Sequence, residues 1–436
     1  MKDSASRWRW IKAAFMVKPL LEFLKDIPDP RSSRKKPHEL AEVLMLIIIG
    51  FLAGKHTFRR MRRWLKKKEK VLKKHLKLAG GIPSVATMSR IASAIDPDLV
   101  ALAFIDWIGQ IVSTRDIHIV IDGKGLRAAT EKIRGGRTPY ILNAIDAATK
   151  LVIAQLAIPE KTNEMTAIPE LIRVLDISGS TVTIDAIGAT SEILNLIDEQ
   201  NGYFVQQVKK NCPATYQEIK DFFETTKKEK DEDKEGFEEK NKGKYGEYDS
   251  GLEINRDRHE YRAMLSYSGD STISSIRDDI PCIRTIGMST QVRIPMERDD
   301  DGNDVTPSKN DFLKNGSRRR PHPTDGDALT DDVERVAMVS NRDCEAKELA
   351  QYKREHWRIE NCLHYVLDES FREDKCTARK SKKALSVLRK FAYNVIRLIQ
   401  LLDLSENIPV THVMDDIETD LGIASKYLFK PIPSMY

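Results

Sequence analysis

Cysteine is scarce in this chain of 436 residues: five in all, odd in number and scattered at Cys212, Cys282, Cys344, Cys362 and Cys376. No CxxC pair occurs, which excludes a disulfide scaffold and a cysteine-based zinc site and fits a reducing cytoplasm. Long apolar runs are also missing. The longest, Leu40 to Gly54, is interrupted by Glu42. A membrane span needs about 20 apolar residues, so this run reads as a buried helix and no membrane partner is expected. The N-terminus carries Arg and Trp in place of a clean apolar stretch, so no signal peptide is expected. An overall charge excess is also lacking, with a net of only +5 from 71 basic and 66 acidic residues. What is present is 41% hydrophobic and 31% charged residues, enough apolar material to exclude global disorder. At about 150 residues per domain the length allows two to four domains.

The small net charge hides a gradient. Residues 1–116 sum to +13, 117–210 to −1, 211–350 to −9 and 351–436 to +2. The positive charge concentrates between Arg59 and Lys77, where Arg59, Arg60, Arg62, Arg63, Lys66, Lys67 and five further lysines face one acid, Glu69, with Phe58 and Trp64 interleaved. A single lysine-rich helix is ordinarily a solvated face. This density points instead to a polyanion, and double-stranded DNA is the expected partner.

Pattern divides the chain into four segments. Residues 1–116 read as helices and form a basic, DNA-binding region. The expected helices run from Glu39 to Leu52, from Phe58 to Leu78, from an N-cap at Ser84 to about Ile95, and from Leu99 to Val112. Ser84, Thr87 and Arg90, near the start of the third, resemble the recognition end of a helix-turn-helix. Residues 117–210 alternate. Strands are expected at Ile117 to Ile121, Thr138 to Ile145, Leu151 to Ile158, Thr181 to Ile184 and Tyr203 to Val208. Helices are expected at Met165 to Leu175 and Ser191 to Glu199. That order gives a mixed sheet. Residues 211–343 form a strand-rich insertion. Its strands are expected at His259 to Ser266, Ile280 to Ile286, Ser289 to Ile294 and Val336 to Val339. The low-complexity run Lys227 to Glu247 and the segment Glu297 to Asp332 are expected to be loops. Residues 344–436 supply long helices, Cys344 to Phe371 and Lys382 to Leu402.

Two of the central strands end in aspartate, at Asp122 and Asp185. One such aspartate is ordinarily a cap or a turn residue. Two on strands of one mixed sheet would converge at one edge, where paired carboxylates repel unless a cation lies between them. Hard oxygen ligands with open positions suit Mg²⁺ or Mn²⁺, and a pair of ions suits a phosphodiester. A third carboxylate is expected from a later helix. His356, Glu360 and His364 recur at i, i+4, i+8 and would share one face beside an apolar stripe, which makes Glu360 the candidate. A zinc site on that face ranks low, because the spacing is not HExxH. Lys124 and Lys209 lie near the sheet edge, either as phosphate contacts or as ordinary surface lysines.

At these residues the chain resembles the DDE transposases of bacterial insertion sequences, in the ISAs-type branch that includes the H-repeat-associated proteins. The likeness spreads over most of the chain. It runs through Ile121-Asp122-Gly123-Lys124, Lys161-Thr162-Asn163-Glu164, Asp185-Ala186, His259-Glu260 and Leu388-Arg389…Asn394. The most specific block is His356-Trp357…Ile359-Glu360-Asn361…Leu363-His364…Leu367-Asp368…Phe371…Glu373-Asp374. The resemblance implies an α/β fold: a ribonuclease-H-like mixed-sheet catalytic core, with a helical N-terminal DNA-binding region and a strand-rich insertion. It implies catalytic and metal-binding roles for Asp122, Asp185 and Glu360, two Mg²⁺ or Mn²⁺ ions, cleavage and joining of DNA at element ends, and a homodimer or larger synaptic complex. Related transposases often carry Tyr, Arg and Lys at −7, −4 and +7 from the catalytic Glu. Here those places hold Lys353, His356 and Leu367, so Arg354, Arg358 and Lys375 are the substitute candidates for terminal phosphate contacts. The family's Thr after the first motif's Lys is replaced by Gly125. Two alternatives stay open: a decayed or repurposed transposase that binds DNA without cutting it, and a host nuclease on the same core.

Overall fold

The computed structural model describes residues 16–32, 36–126, 140–158, 164–185, 190–208, 212–255, 258–269, 282–295, 297–298, 304–305, 333–376, 378 and 380–435. The helices in chain order are α1 (Leu20–Lys25), α2 (Leu40–Leu52), α3 (Phe58–Leu72), α4 (Val85–Ala94) and α5 (Pro97–Gly109). They continue with α6 (Glu164–Arg173), α7 (Ser191–Glu199), α8 (Pro213–Glu232), α9 (Lys234–Lys240) and α10 (Ala346–Ile359). A π-helical turn, Glu360–His364, follows directly, then α11 (Tyr365–Glu369), α12 (Lys382–Leu402), α13 (Val410–Thr419) and α14 (Gly422–Phe429). The principal strands are β1 (His118–Gly125), β2 (Tyr140–Asp146), β3 (Val152–Ile158), β4 (Thr181–Ile184) and β5 (Tyr203–Val208). The others are β6 (Tyr245–Asn255), β7 (Arg258–Ser268), β8 (Thr285–Pro295) and β9 (Val333–Ser340). The order of three strands, helix, strand, helix, strand between His118 and Val208 is the one expected of a ribonuclease-H-like core, and the fold is mixed α/β. The chain forms two compact units, residues 1–180 with 357–436, and residues 181–356.

In the first unit β1 pairs antiparallel with β2, and β2 with β3. Every residue of α2 is buried, as a sequence apolar on all sides but for Glu42 requires, and α2 packs against α12. Helix α12 also packs on α5, where Phe391 meets the Phe104 and Trp107 rings at centroid distances of 4.9 and 5.4 Å. Its polar residues satisfy the backbone of the small sheet. Asn394 accepts from the Val152 amide and donates to the Val152 carbonyl, at 3.0 and 2.8 Å. Lys382 and Lys383 donate to the carbonyls of Leu126 and Ile158, just beyond or at the ends of β1 and β3.

The one acid in α2 has a local cause. Buried Glu42 accepts the amides of Lys77 and Leu78, at 2.6 and 3.2 Å. These two amides are held in a turn, with Leu78 at a φ of 44°. Helix α3 stops at Leu72, short of the expected Leu78. Gly50 lets α3 approach closely, since a Cβ there would lie 2.6 Å from Met61 Cγ.

In the second unit β4 runs parallel to β5, and antiparallel pairing then continues from β5 through β9, β8 and β7 to β6. Val205, Met264, Val336, Met338, Cys344 and Leu349 form its core. Two expectations are corrected here. The charged run from Lys227 is not a loop: it completes α8, forms α9 and begins β6. Ion pairs at i, i+4 such as Lys234–Glu238, together with the buried anchor Phe237, support helix where composition suggested solvent. The two strands expected around Ile286 and Ser289 are one continuous strand, β8. Of the segment Glu297 to Asp332, only the pairing of Glu297–Arg298 with Asp304–Val305 falls within the described residues.

Candidate active site

Asp122 lies inside β1, opposite Asn143, and does not end the strand as its sequence suggests. Its Oδ1 accepts the Gly123 amide at 2.8 Å. Its Oδ2 lies 3.5 Å from Nδ1 of His364, the last residue of the π-turn. Burial, with Lys124 and Lys390 close by, pushes the His364 pKa down to about 3, against an opposing pull from Glu373. The imidazole is therefore neutral near pH 7. Among the described residues its buried Nε2 has no hydrogen-bond partner. A buried lone pair costs less than a buried unpaired N–H, which favours the tautomer with the proton on Nδ1, donated toward Asp122.

Lys124, two residues along β1, is 6% exposed. Its ammonium is bound to Asp368 Oδ2 at 2.5 Å and to the His364 carbonyl at 3.2 Å. Of the two roles the sequence leaves open for Lys124, ordinary surface lysine is the one its burial rules out. Behind it lies a buried charge cluster of Glu373, Arg389 and Lys390. Burial pushes Glu373 up, but Lys390, Arg389 and Lys124 outweigh it and hold this carboxyl below its ordinary value. Burial lowers Lys390 to about 8, with Lys124 and Arg389 adding to the effect and Glu373 opposing it. Apart from His364, which the sequence places on a helical face, none of this cluster is visible as periodicity; its traces are the resemblance blocks that contain Lys124, Asp368, Glu373 and Arg389.

Glu360 opens the π-turn and is exposed. The expected face of His356, Glu360 and His364 does not continue through this turn, because the Tyr365 amide bonds the Glu360 carbonyl, five residues back. His356 is buried in the second unit with Nδ1 3.0 Å from Thr183 Oγ1, whereas His364 turns to Asp122. Lys353 is likewise buried, on Ser289. These two residues dock α10 within the second unit. Arg354 is exposed but ion-paired with Glu253, and Arg358 is exposed. Asp185 follows β4 directly in the second unit and is exposed. Lys209 lies outside the described residues. Among the described residues no group of three or more His, Cys, Asp and Glu side chains stands at metal-ligating spacing. The donor chemistry of the first unit still fits a hard cation: one carboxylate oriented by a neutral imidazole, and one carboxylate open to solvent.

Helix α3 is capped by Thr57 and buries Met61, Trp64, Leu65 and Leu72. Trp64 and Lys68 donate to the carbonyls of Glu418 and Thr419 at the C-terminal end of α13, at 3.3 and 2.6 Å, and Lys55 pairs with Glu418. Arg59, Arg60, Arg63, Lys66 and Lys67 are left exposed, with Arg62 half-buried. Ser84 caps α4: its Oγ accepts the Thr87 amide at 3.0 Å and lies 2.9 Å from the Thr87 hydroxyl. Arg90 is exposed. Twelve residues separate α3 from α4. A helix-turn-helix allows about 3–4, so that reading is corrected.

Comparison with known proteins bears on the family of the chain. The DDE_Tnp_1-associated family model matches residues 21–108 and the transposase DDE domain model matches residues 113–395. The chain is 27% identical to the “H repeat-associated putative transposase YhhI” of Escherichia coli (strain K12), over 87% of this chain and 90% of that one. It is 34% identical to the “Uncharacterized protein in dhlA 3′region” of Xanthobacter autotrophicus, over 49% of this chain and 73% of that one. A chain from a cryo-EM structure of the piggyBac transposase synaptic complex with hairpin DNA superposes with a TM-score of 0.39 and 11% identity, over 98% of this chain and 81% of that one. Among the described residues no helix is long and apolar enough to cross a membrane. With the family model spanning residues 113–395, the chain belongs to the transposase DDE domain family.

Proposed function

We propose that this chain is the transposase of a bacterial insertion sequence, cutting the element's DNA ends and joining them to target DNA at a site built on Asp122, Asp185 and Glu360. The observation that carries this reading is the contact of Asp122 with His364, which ties the strand bearing the first carboxylate to the π-turn that opens with Glu360. Asp122, Asp185 and Glu360 would together hold two Mg²⁺ or Mn²⁺ ions. When bound, these ions would supply an activated water for 3′-end hydrolysis and charge stabilisation at the phosphodiester. The chain's own contribution is orientation. Gly123 and His364 fix the two oxygens of Asp122, and the exposed carboxylate of Glu360 stays open to a cation. The exposed arginines and lysines of α3, with Arg90 and Arg358, would take the phosphates of the element ends, and two or more copies would bring the ends together. Activity would be cytoplasmic, on the nucleoid.

The test is cleavage and joining on supercoiled plasmid carrying candidate ends, with Mg²⁺, Mn²⁺ or EDTA, for wild type and Asp122→Asn. Metal-dependent cutting with joined products, lost in the variant, is the expected result. Wild-type cleavage by Asp122→Asn sinks the assignment. Cutting without joining replaces it with a nuclease, and salt-sensitive binding without cutting replaces it with a decayed or repurposed DNA-binding protein.

A further inference from the structure

Lys124 joins two parts of the first unit that the chain separates by 240 residues. It stands two residues from Asp122 on β1, so both side chains leave the same face of the strand. On that face lies the π-turn. Asp122 meets its last imidazole, while Lys124 meets its last carbonyl and, through Asp368, the helix that follows. From α12, the Tyr393 hydroxyl donates to the Cys362 carbonyl at 2.9 Å. The five-residue turn is thus held by donors from β1 and from α12.

A lysine this deeply buried is costly unless its charge is compensated. Here the ammonium is met by a carboxylate at 2.5 Å and a carbonyl at 3.2 Å. An ammonium so engaged, on a side chain 6% exposed, is not offered to a phosphate. What it controls is register. A π-turn adds one residue to a helix, and a slip back to α-geometry would shift Glu360 along the axis by about 1.5 Å per residue. Metal and catalytic constellations tolerate misplacement of only about 0.5 Å.

We infer that Lys124 is a positioning residue: through Asp368 and the His364 carbonyl it fixes the π-turn that opens with Glu360 against the strand that carries Asp122. This rests on the reading that Asp122 and Glu360 hold metal, and the test separates the two. Lys124→Met, Asp368→Asn and the double variant are compared with wild type and Asp122→Asn by three readouts. These are Mn²⁺ binding followed by electron paramagnetic resonance, hydrogen exchange of residues 360–368, and the salt dependence of binding to duplex DNA of arbitrary sequence.

Both single variants should raise the Mn²⁺ concentration for half-saturation by about 10-fold or more, the range seen when groups supporting metal ligands are removed. Both should speed exchange across 360–368, leave the salt slope unchanged, and combine in the double variant with no further loss. If Lys124→Met fails to fold, Asp368→Asn carries the test, because Asp368 is only half-buried. A salt slope reduced by about one, with exchange across the turn unaltered, overturns the inference and makes Lys124 a phosphate contact. Mn²⁺ binding that is absent from wild type, or unaffected by Asp122→Asn, sinks the metal reading alone; exchange across the turn then still decides the role of Lys124.

Discussion

His364 turns Nδ1 toward Oδ2 of Asp122 at 3.5 Å, while its own carbonyl takes the ammonium of Lys124. One residue thus links the strand of the first candidate carboxylate to the turn of another, by its side chain and by its backbone. The orientation of Asp122 depends on a neutral imidazole, and the burial that keeps it neutral comes from packing distant in sequence.

That burial has a consequence for stability against pH. The unfolded histidine takes up its proton near 6.5, the folded one only near 3. Between these values the unfolded state binds the additional proton, so the stabilising contribution is complete above about pH 6.5 and is lost as pH falls toward 3. Replacing His364 with Gln should flatten the loss of stability across that window. Urea unfolding at a series of pH values measures it, and identical profiles for the two proteins would show that His364 is protonated freely in the fold.

The exposed face of α3 makes a second prediction. Alanine at Arg59, Arg60, Arg62 and Arg63 should weaken binding to duplex DNA and lower the slope of log K against log salt by up to about 3.6, at about 0.9 per phosphate contact. Thermal stability should change little, because Met61, Trp64, Leu65 and Leu72 carry the packing. A slope equal to that of wild type would make this helix a solvated face.

Glu42 provides a third. Its carboxylate accepts two backbone amides in an otherwise apolar helix. Glu42→Ala should destabilise the first unit by about 2–4 kcal/mol, since the amides of Lys77 and Leu78 lose a charged acceptor. Chemical denaturation reads this directly. A loss below about 0.5 kcal/mol would mean that water replaces the carboxylate in that turn.

Local pattern was enough for several elements. The strand at Thr181 to Ile184, the helix at Ser191 to Glu199, the strand at Tyr203 to Val208 and the helix at Lys382 to Leu402 fall where β-branched alternation and apolar periodicity place them. Ser84 caps its helix as a serine after proline should. Charge density misled at α8 and α9, where buried Phe223 and Phe237 and a few ion pairs decide in favour of helix. At Lys124 the sequence leaves a phosphate contact and a surface lysine both open, because its neighbours say nothing of Asp368, 244 positions away.

By itself the sequence determined the order of strands and helices between His118 and Val208, the basic character of α3 and the identity of the candidate carboxylates, because these are properties of neighbouring residues and of side-chain type. The tertiary structure alone decided that Asp122 sits within its strand, that buried Glu42 takes two amides of the segment after α3, and that a π-turn bears Glu360. Each of these depends on a partner far along the chain: Asn143 and His364 for Asp122, the amides of Lys77 and Leu78 for Glu42, and Lys124 and Tyr393 for the turn. A one-residue change of helical register leaves no mark in local periodicity. It persists because buried donors from β1 and α12 hold the carbonyls it rearranges.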